Sequence, residues 1–176
     1  TEDGEVMFRS PGVFQAYYKN DDETKATKTE DGWVHTGDIG IIDEDGHLQI
    51  TDRKKDIIVN SGGDNISPQR VEGILTIEPE IAQAMVYGDK HPHLVAVLVA
   101  DAEWLGGLAD GEDAGKALAP VLDRGNASLS NIEKIRRVIL AAEPFTTDNG
   151  LLTPTLKIRR HKIKEIYGDD LEALYR

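Results

Sequence analysis

Four groups of side chains have the types and spacing to do chemistry. Asp38 closes the run Thr36-Gly37-Asp38, between two apolar stretches. An ionised carboxylate has about four lone-pair sites, enough to accept hydrogen bonds from two neighbouring hydroxyls. Gly37 lets the backbone pass close to such a ligand. Arg53 lies in the charged knot Asp52-Arg53-Lys54-Lys55-Asp56 and offers a rigid, permanently charged fork of donors. Ser61-Gly62-Gly63 follows the apolar run Ile57-Ile58-Val59, and two glycines there let a ligand approach the backbone and meet its N–H groups. Lys157 ends the segment Leu152-Thr153-Pro154-Thr155-Leu156-Lys157, where the proline disfavours helix. A lysine on such a loop is a mobile point charge that can stabilise negative charge growing in a reaction.

Each group also has a plainer reading. Asp38 alone could cap a loop, and the knot could be a solvated face. The glycines could form an ordinary strand-to-helix turn. Lys157 shares a basic run with Arg159, Arg160, Lys162 and Lys164, and such runs are often solvated or attract anions. The five histidines show no metal-ligand spacing with acidic partners, so no metal site is expected. His91 and His93 read as surface groups, and Trp33 and Trp104 as packing residues. Neither a Gly-x-Ser-x-Gly elbow nor a Walker-type loop occurs.

The elements that must position these groups follow from pattern. Residues 4–9 read as a strand, 21–28 as a short surface helix, and 33–34, 39–42 and 48–50 as short strands. Asp43-Glu44-Asp45-Gly46 reads as a hairpin loop with Gly46 at positive φ. This part is expected to form a small antiparallel sheet with open edges, able to pair with a second copy as a homodimer. Residues 57–59 read as a strand. Ser67 caps a helix with Pro68 in its first turn and Val71, Ile74 and Leu75 on its apolar face. Residues 81–87 and 94–99 read as strands, the second nearly all apolar and therefore central. Residues 102–123 are helix-prone but broken by glycines. Residues 128–141 carry Ile132, Ile135, Val138 and Ile139 at helical spacing and predict the best helix of the chain. Residues 162–176 predict one or two terminal helices. The order implies an α+β fold, with a boundary at the charged knot dividing residues 1–52 from 53–176.

Composition bounds the class. The chain has 176 residues, 39% hydrophobic and 30% charged, as expected of a packed core rather than disorder. A net charge of −12 disfavours nucleic-acid binding, which usually rests on a basic face. There is no cysteine, hence neither a disulfide nor a thiolate nucleophile. No apolar run approaches the roughly 20 residues of a membrane span. The cytoplasm, free or peripheral at a membrane, fits these features.

The three central signals occur in one order and spacing, across DGWVHTGDIGIIDEDGHLQITDRKKDIIVNSGGDNISP at 31–68. Together with GEVMFRSPGVFQAYYKN at 4–20 and LTPTLKIRR at 151–159, this resembles the carboxy-terminal part of the AMP-forming acyl-CoA synthetases, within the adenylate-forming superfamily. The long-chain fatty-acid–CoA ligases look most similar. The resemblance implies that residues 1–52 are the tail of a large amino-terminal AMP-binding domain and 53–176 a small carboxy-terminal lid domain. It implies fatty acid, ATP and CoA as substrates, AMP as a product, and Mg2+ in the whole enzyme, held by residues outside this chain. It assigns Asp38 to the ribose hydroxyls, Arg53 to ribose or phosphate, and Lys55 to a hinge. Ser61, Gly62 and Gly63 line the channel for the pantetheine arm of CoA, and Lys157 is the catalytic lysine of adenylation. Asp64 departs from the family, where Arg or another polar residue is common, so it is left out of the site. The phosphate loop and the magnesium-holding Glu are missing here, so this chain alone is expected to be inactive. Three other readings stay open. One is an AMP-forming ligase for another acid or for a carrier-protein acceptor. Another is a non-catalytic nucleotide- or CoA-binding module. The third is an acidic α+β interaction domain that binds neither ATP, AMP nor CoA.

Overall fold

The computed structural model describes residues Thr1–Arg176. The chain divides into two compact units, Thr1–Ile57 and Ile58–Arg176. In the first, β1 (Glu5–Phe8), β2 (Val34–Ile42) and β3 (Leu48–Arg53) form an antiparallel sheet with β2 in the middle. The β2–β3 connection turns at Gly46, whose φ of +84° suits glycine. Gly40 is required for a different reason: a Cβ there would lie 2.9 Å from the Gln49 carbonyl and from Val6 Cγ2. Between β1 and β2 lies α1 (Asp21–Thr27), capped by Asn20, whose side chain accepts the Glu23 N–H. Ile42, Leu48 and Ile50 share one face of this hairpin and Ile41 lies on the other, and all four are exposed. After β3, one 3-10 turn runs over Lys54–Asp56.

The second unit opens with β4 (Ile58–Val59), which pairs with β5 (Asn65–Ile66). Next comes α2 (Pro68–Leu75), with the Ser67 cap accepting from Arg70 N–H and Pro68 in the first turn. The β6 (Ile81–Tyr87), β7 (Leu94–Ala100) and β8 (Ile135–Leu140) strands form the main sheet, with β7 central, antiparallel to β6 and parallel to β8. The short helices α3 (Ala102–Gly106), α4 (Ala114–Ala117) and α5 (Ala119–Ala127) connect β7 to β8. A final helix, α6 (Arg160–Ala173), closes the fold.

The strand period of two sorts β7 onto two cores. Leu94, Ala96 and Leu98 face Val71, Leu75, Leu118 and Val121 of the helices on one side. Val95, Val97 and Val99 face Phe145, Leu151, Ile163 and Leu171 on the other. All seven residues of β7 are buried, as an almost continuous apolar run between two helical layers demands. The fold is α+β, a small sheet with packed helices.

Residues 128–141 do not form the predicted helix. Ile135–Leu140 is β8, and 131–133 is a turn that leaves Ile132 43% exposed. Parallel pairing with β7 overrides the local period, and β-branched Ile135, Val138 and Ile139 suit it. Asn126 starts the strand: its side-chain amide gives and receives hydrogen bonds at Ile135 O and N, each 2.9 Å. Nor are His91 and His93 surface groups. The ring of Tyr175, beyond the end of α6, covers both.

The two faces are joined by a buried ion pair. Glu72 of α2 meets Arg160 of α6 through two bonds of 2.5 and 2.7 Å. Its Oε1 also accepts the Val86 N–H of β6 at 2.8 Å. Removing one partner strands a buried charge, so Arg160→Met is expected to cost about 3–5 kcal/mol in urea unfolding. Glu72→Gln with Arg160→Met keeps an acceptor for Val86 and is expected to recover most of that loss.

Candidate active site

Thr36-Gly37-Asp38 is a bulge. His35 and Ile39 of β2 pair with Met7 and Glu5 of β1, so three β2 residues oppose Val6 alone. Gly37 takes φ +69° at its centre. Bulges of this kind re-aim a side chain, here that of Asp38. Thr36 Oγ1 donates to Val6 O at 2.7 Å and accepts the Asp38 N–H at 3.0 Å. Beneath it sits Glu5, only 4% exposed. Glu5 Oε1 accepts the Gly37 N–H at 3.0 Å; Oε2 meets His35 Nδ1 at 3.0 Å and Lys54 Nζ at 2.9 Å. Lys54 also pairs with Asp3 at 2.7 Å. Burial pushes the Glu5 carboxyl up, but the hydrogen bonds from His35, Lys54 and Gly37 outweigh it and hold the group below 4.5, its ordinary value.

Asp38 and Arg53 are brought together. They face each other across β2 and β3, with Arg53 Nη1 2.6 Å from Asp38 Oδ1. The pair leaves guanidinium donors and a carboxylate oxygen on the surface, a matched surface for hydroxyl and phosphate oxygens. Lys55 is exposed in the 3-10 turn, two residues before the division between the units at Ile57.

In the second unit, Ser61-Gly62-Gly63 closes the β4–β5 hairpin. Asn60 builds this loop: its Oδ1 accepts the N–H groups of Gly62 and Asp64, each at 2.9 Å. Gly63, at φ +88°, donates to Asn60 O, and Ser61 donates to His91 O at 2.9 Å. All three amides expected to face a ligand are therefore bonded within the protein. What the loop offers is exposed backbone without bulky side chains. Asp64 is used here too, accepting from Asn60 Nδ2 at 3.0 Å.

Lys157 lies on a tight turn that springs from buried Leu151 and Leu152 and returns through half-buried Ile158. Leu152 and Ile158 bridge, and Thr153 N–H donates to Lys157 O at 2.8 Å. Thr153 Oγ1 accepts the Lys157 N–H at 3.0 Å. Leu156, 71% exposed, sits at φ +60°, a left-handed conformation that costs a non-glycine residue about 1–2 kcal/mol. The structure sorts the basic run. Arg160 binds Glu72, Arg159 donates to Gly150 O at 3.2 Å, and Lys162 binds Glu165. Lys164 lies over the Tyr87 ring. Only Lys157 has a side chain without a partner, a distinction invisible in the run itself.

Sequence reasoning also missed Glu5, Lys54, Asn60 and Tyr175. Glu5 follows the glycine of Gly4-Glu5-Val6 in an otherwise apolar strand, which was the available signal. No group of three or more His, Asp or Glu gathers in a way that could hold a metal ion.

The family model for the AMP-binding enzyme C-terminal domain matches residues 55–176. The chain belongs to the adenylate-forming ligase family. It is 38% identical to the long-chain-fatty-acid–CoA ligase FadD15 of Mycobacterium tuberculosis, over 99% of this chain and 31% of that protein. Among solved structures it resembles the adenylation domain of a carboxylate reductase from Mycobacterium chelonae, with TM-score 0.89 and 35% identity over 98% of this chain and 27% of that one. The A domain of a carboxylic acid reductase from Segniliparus rugosus, in complex with AMP and a co-purified carboxylic acid, gives 0.87 and 32% over 98% and 28%. The chain thus spans about a third of the length of the first of these relatives. No helix is long and apolar enough to cross a membrane.

Two tests follow from the geometry. A carboxylate held below 4.5 adds stability above that pH, lost as the pH falls through its folded-state value. Acidification below 4.5 is therefore expected to loosen the first sheet, with the Gly37 amide resonance reporting it, and Glu5→Gln to flatten that profile. Leu156→Gly removes the left-handed strain and is expected to raise the unfolding free energy by about 0.5–1 kcal/mol net of unfolded-chain entropy, read as a higher urea midpoint with the m-value unchanged.

Proposed function

We propose that the chain is the carboxy-terminal third of an AMP-forming long-chain fatty-acid–CoA ligase. The observation that carries this reading is Lys157: the one partnerless cation of its run, on a turn anchored by Leu151 and Leu152. In the first half-reaction a fatty-acid carboxylate oxygen attacks the α-phosphorus of ATP, the bond to the β-phosphate oxygen breaks, and acyl-AMP and pyrophosphate form. Lys157 Nζ reaches between carboxylate and α-phosphate and stabilises the charge gathering there. Asp38 accepts the ribose hydroxyls, and Arg53, already paired with Asp38, offers its remaining donors to ribose or phosphate oxygens. In the second half-reaction the CoA thiol attacks the acyl carbon, loses its proton and expels AMP. Ser61–Gly63 lines the path of the pantetheine arm as a smooth backbone wall. The small domain turns about Lys55 between the two steps, a change needing only a few φ/ψ angles. Residues 1–52 belong to the larger upstream domain, which would cover the exposed Ile41, Ile42, Leu48 and Ile50.

The likeness to carboxylic acid reductase adenylation domains favours a second reading. There the ligase activates another acid and passes the acyl group to a carrier-protein phosphopantetheine instead of CoA.

The test compares full-length wild-type enzyme with Lys157→Ala. Pyrophosphate release from palmitate and ATP is expected to fall about 10²–10³-fold, the scale of losing one charge-stabilising donor. Thioester formation from supplied palmitoyl-AMP and CoA is expected to survive. Equal rates in both assays would overturn the assignment of Lys157. Wild-type turnover with a carrier protein but not with CoA would select the second reading.

A further inference from the structure

Ser61 donates the one amide of its three-residue stretch that is bonded outside the Asn60–Asp64 loop, to His91 O at 2.9 Å. Neighbouring bonds make the same junction. Lys90 N–H donates to Val59 O at 2.7 Å, and Asp89 Oδ1 accepts the Val59 N–H at 3.2 Å. The position of the loop therefore depends on the position of His91.

His91 is held from the other end of the chain. Its ring stacks on Tyr175, with centroids 3.8 Å apart and planes 9° from parallel. Its Nε2 lies 3.2 Å from Glu172 Oε1, which also accepts the Tyr87 hydroxyl at 2.5 Å. Tyr175 Oη donates to His93 O at 3.0 Å and reaches Tyr87 O at 3.3 Å. The Tyr175 ring thus covers a loop that has no strand or helix of its own. The Tyr175 ring and the Glu172 carboxylate hold the His91 ring, and the His91 carbonyl holds Ser61.

We infer that His91 and Tyr175 are positioning residues for the Ser61–Gly63 loop, so that the chain end after α6 sets how the enzyme handles CoA. This rests on the pantetheine-channel reading of that loop given above. Neither side chain touches the reacting atoms. Their effect is to hold a flexible glycine pair in the one shape that leaves the channel open. The adenylation step, which uses Lys157, is not coupled through this clamp.

The test has two arms. In the 176-residue chain, hydrogen exchange at the Ser61 amide is compared between wild type and Tyr175→Ala, with β7 amides as internal reference. Exchange at Ser61 is expected to rise about tenfold or more with β7 unchanged. In the full-length ligase, Tyr175→Ala and His91→Ala are expected to raise the CoA KM about tenfold in thioester formation from palmitoyl-AMP, with pyrophosphate release within about twofold. Tyr175→Phe keeps the stack and is expected to restore most of the CoA affinity. An unchanged Ser61 exchange rate, or equal losses in both half-reactions, would overturn the inference. If the unsubstituted ligase makes no acyl-AMP, the functional reading fails while the exchange arm still decides the coupling. Should Tyr175→Ala not fold, His91→Asn replaces it as the variant that breaks the stack, with Tyr175→Phe again the control that keeps it.

Discussion

The second unit depends on one carboxylate. Glu72 lies in the interior, where an unpaired charge is costly, and Arg160 answers it with both arms of its fork. The same carboxylate fills the Val86 N–H on the side of β6 that has no neighbouring strand. An open edge is thereby capped from within. The pair also places two working segments. Arg160 begins α6 three residues after Lys157, and Glu72 sits in the helix that follows the Asn60–Asp64 loop. Both loops hang on helices that one ion pair ties to one strand.

Charge is distributed with the same economy in the first unit. Its acids are numerous, but those near Thr36-Gly37-Asp38 have assigned partners: Glu5 has His35 and Lys54, and Asp38 has Arg53. Pairing keeps the Asp38 carboxylate oriented before any ligand arrives, so less ordering is left for the binding event. Lys157 is the opposite case. Its ammonium is left without an internal partner, while hydrogen bonds at Thr153 fix its backbone.

Local signals carried much of this to the level of sequence. The Ser67-Pro68 helix start, the Gly46 turn and the all-apolar β7 are each decided by neighbours in the chain, and they read correctly. Residues 128–141 did not, because Ile132, Ile135, Val138 and Ile139 fit a helical period, and a strand packed on both faces shows no alternation to set against it. What settles the matter is β7, more than thirty positions away, together with the side chain of Asn126. His91 and His93 were misread for a similar reason, since the tyrosine that covers them lies at the chain end. The role of the Ser61–Gly63 amides failed on geometry: glycine content suggests free N–H groups, and only coordinates reveal that Asn60 and His91 take them. Asp38, Arg53, Lys55 and Lys157 remain readings of resemblance, now with surroundings that fit their proposed work.

The Lys54 amine reaches back 49 positions to Glu5 and ties the 3-10 turn to the start of the chain. That contact has a meaning for recombination between related ligases. A crossover placed between Glu5 and Lys54 would join a buried acid from one parent to a cation, or its absence, from the other. A crossover after Ile57 would carry acid, bulge and turn across as one heritable block. The seam that keeps these contacts whole therefore lies beyond the charged knot rather than before it.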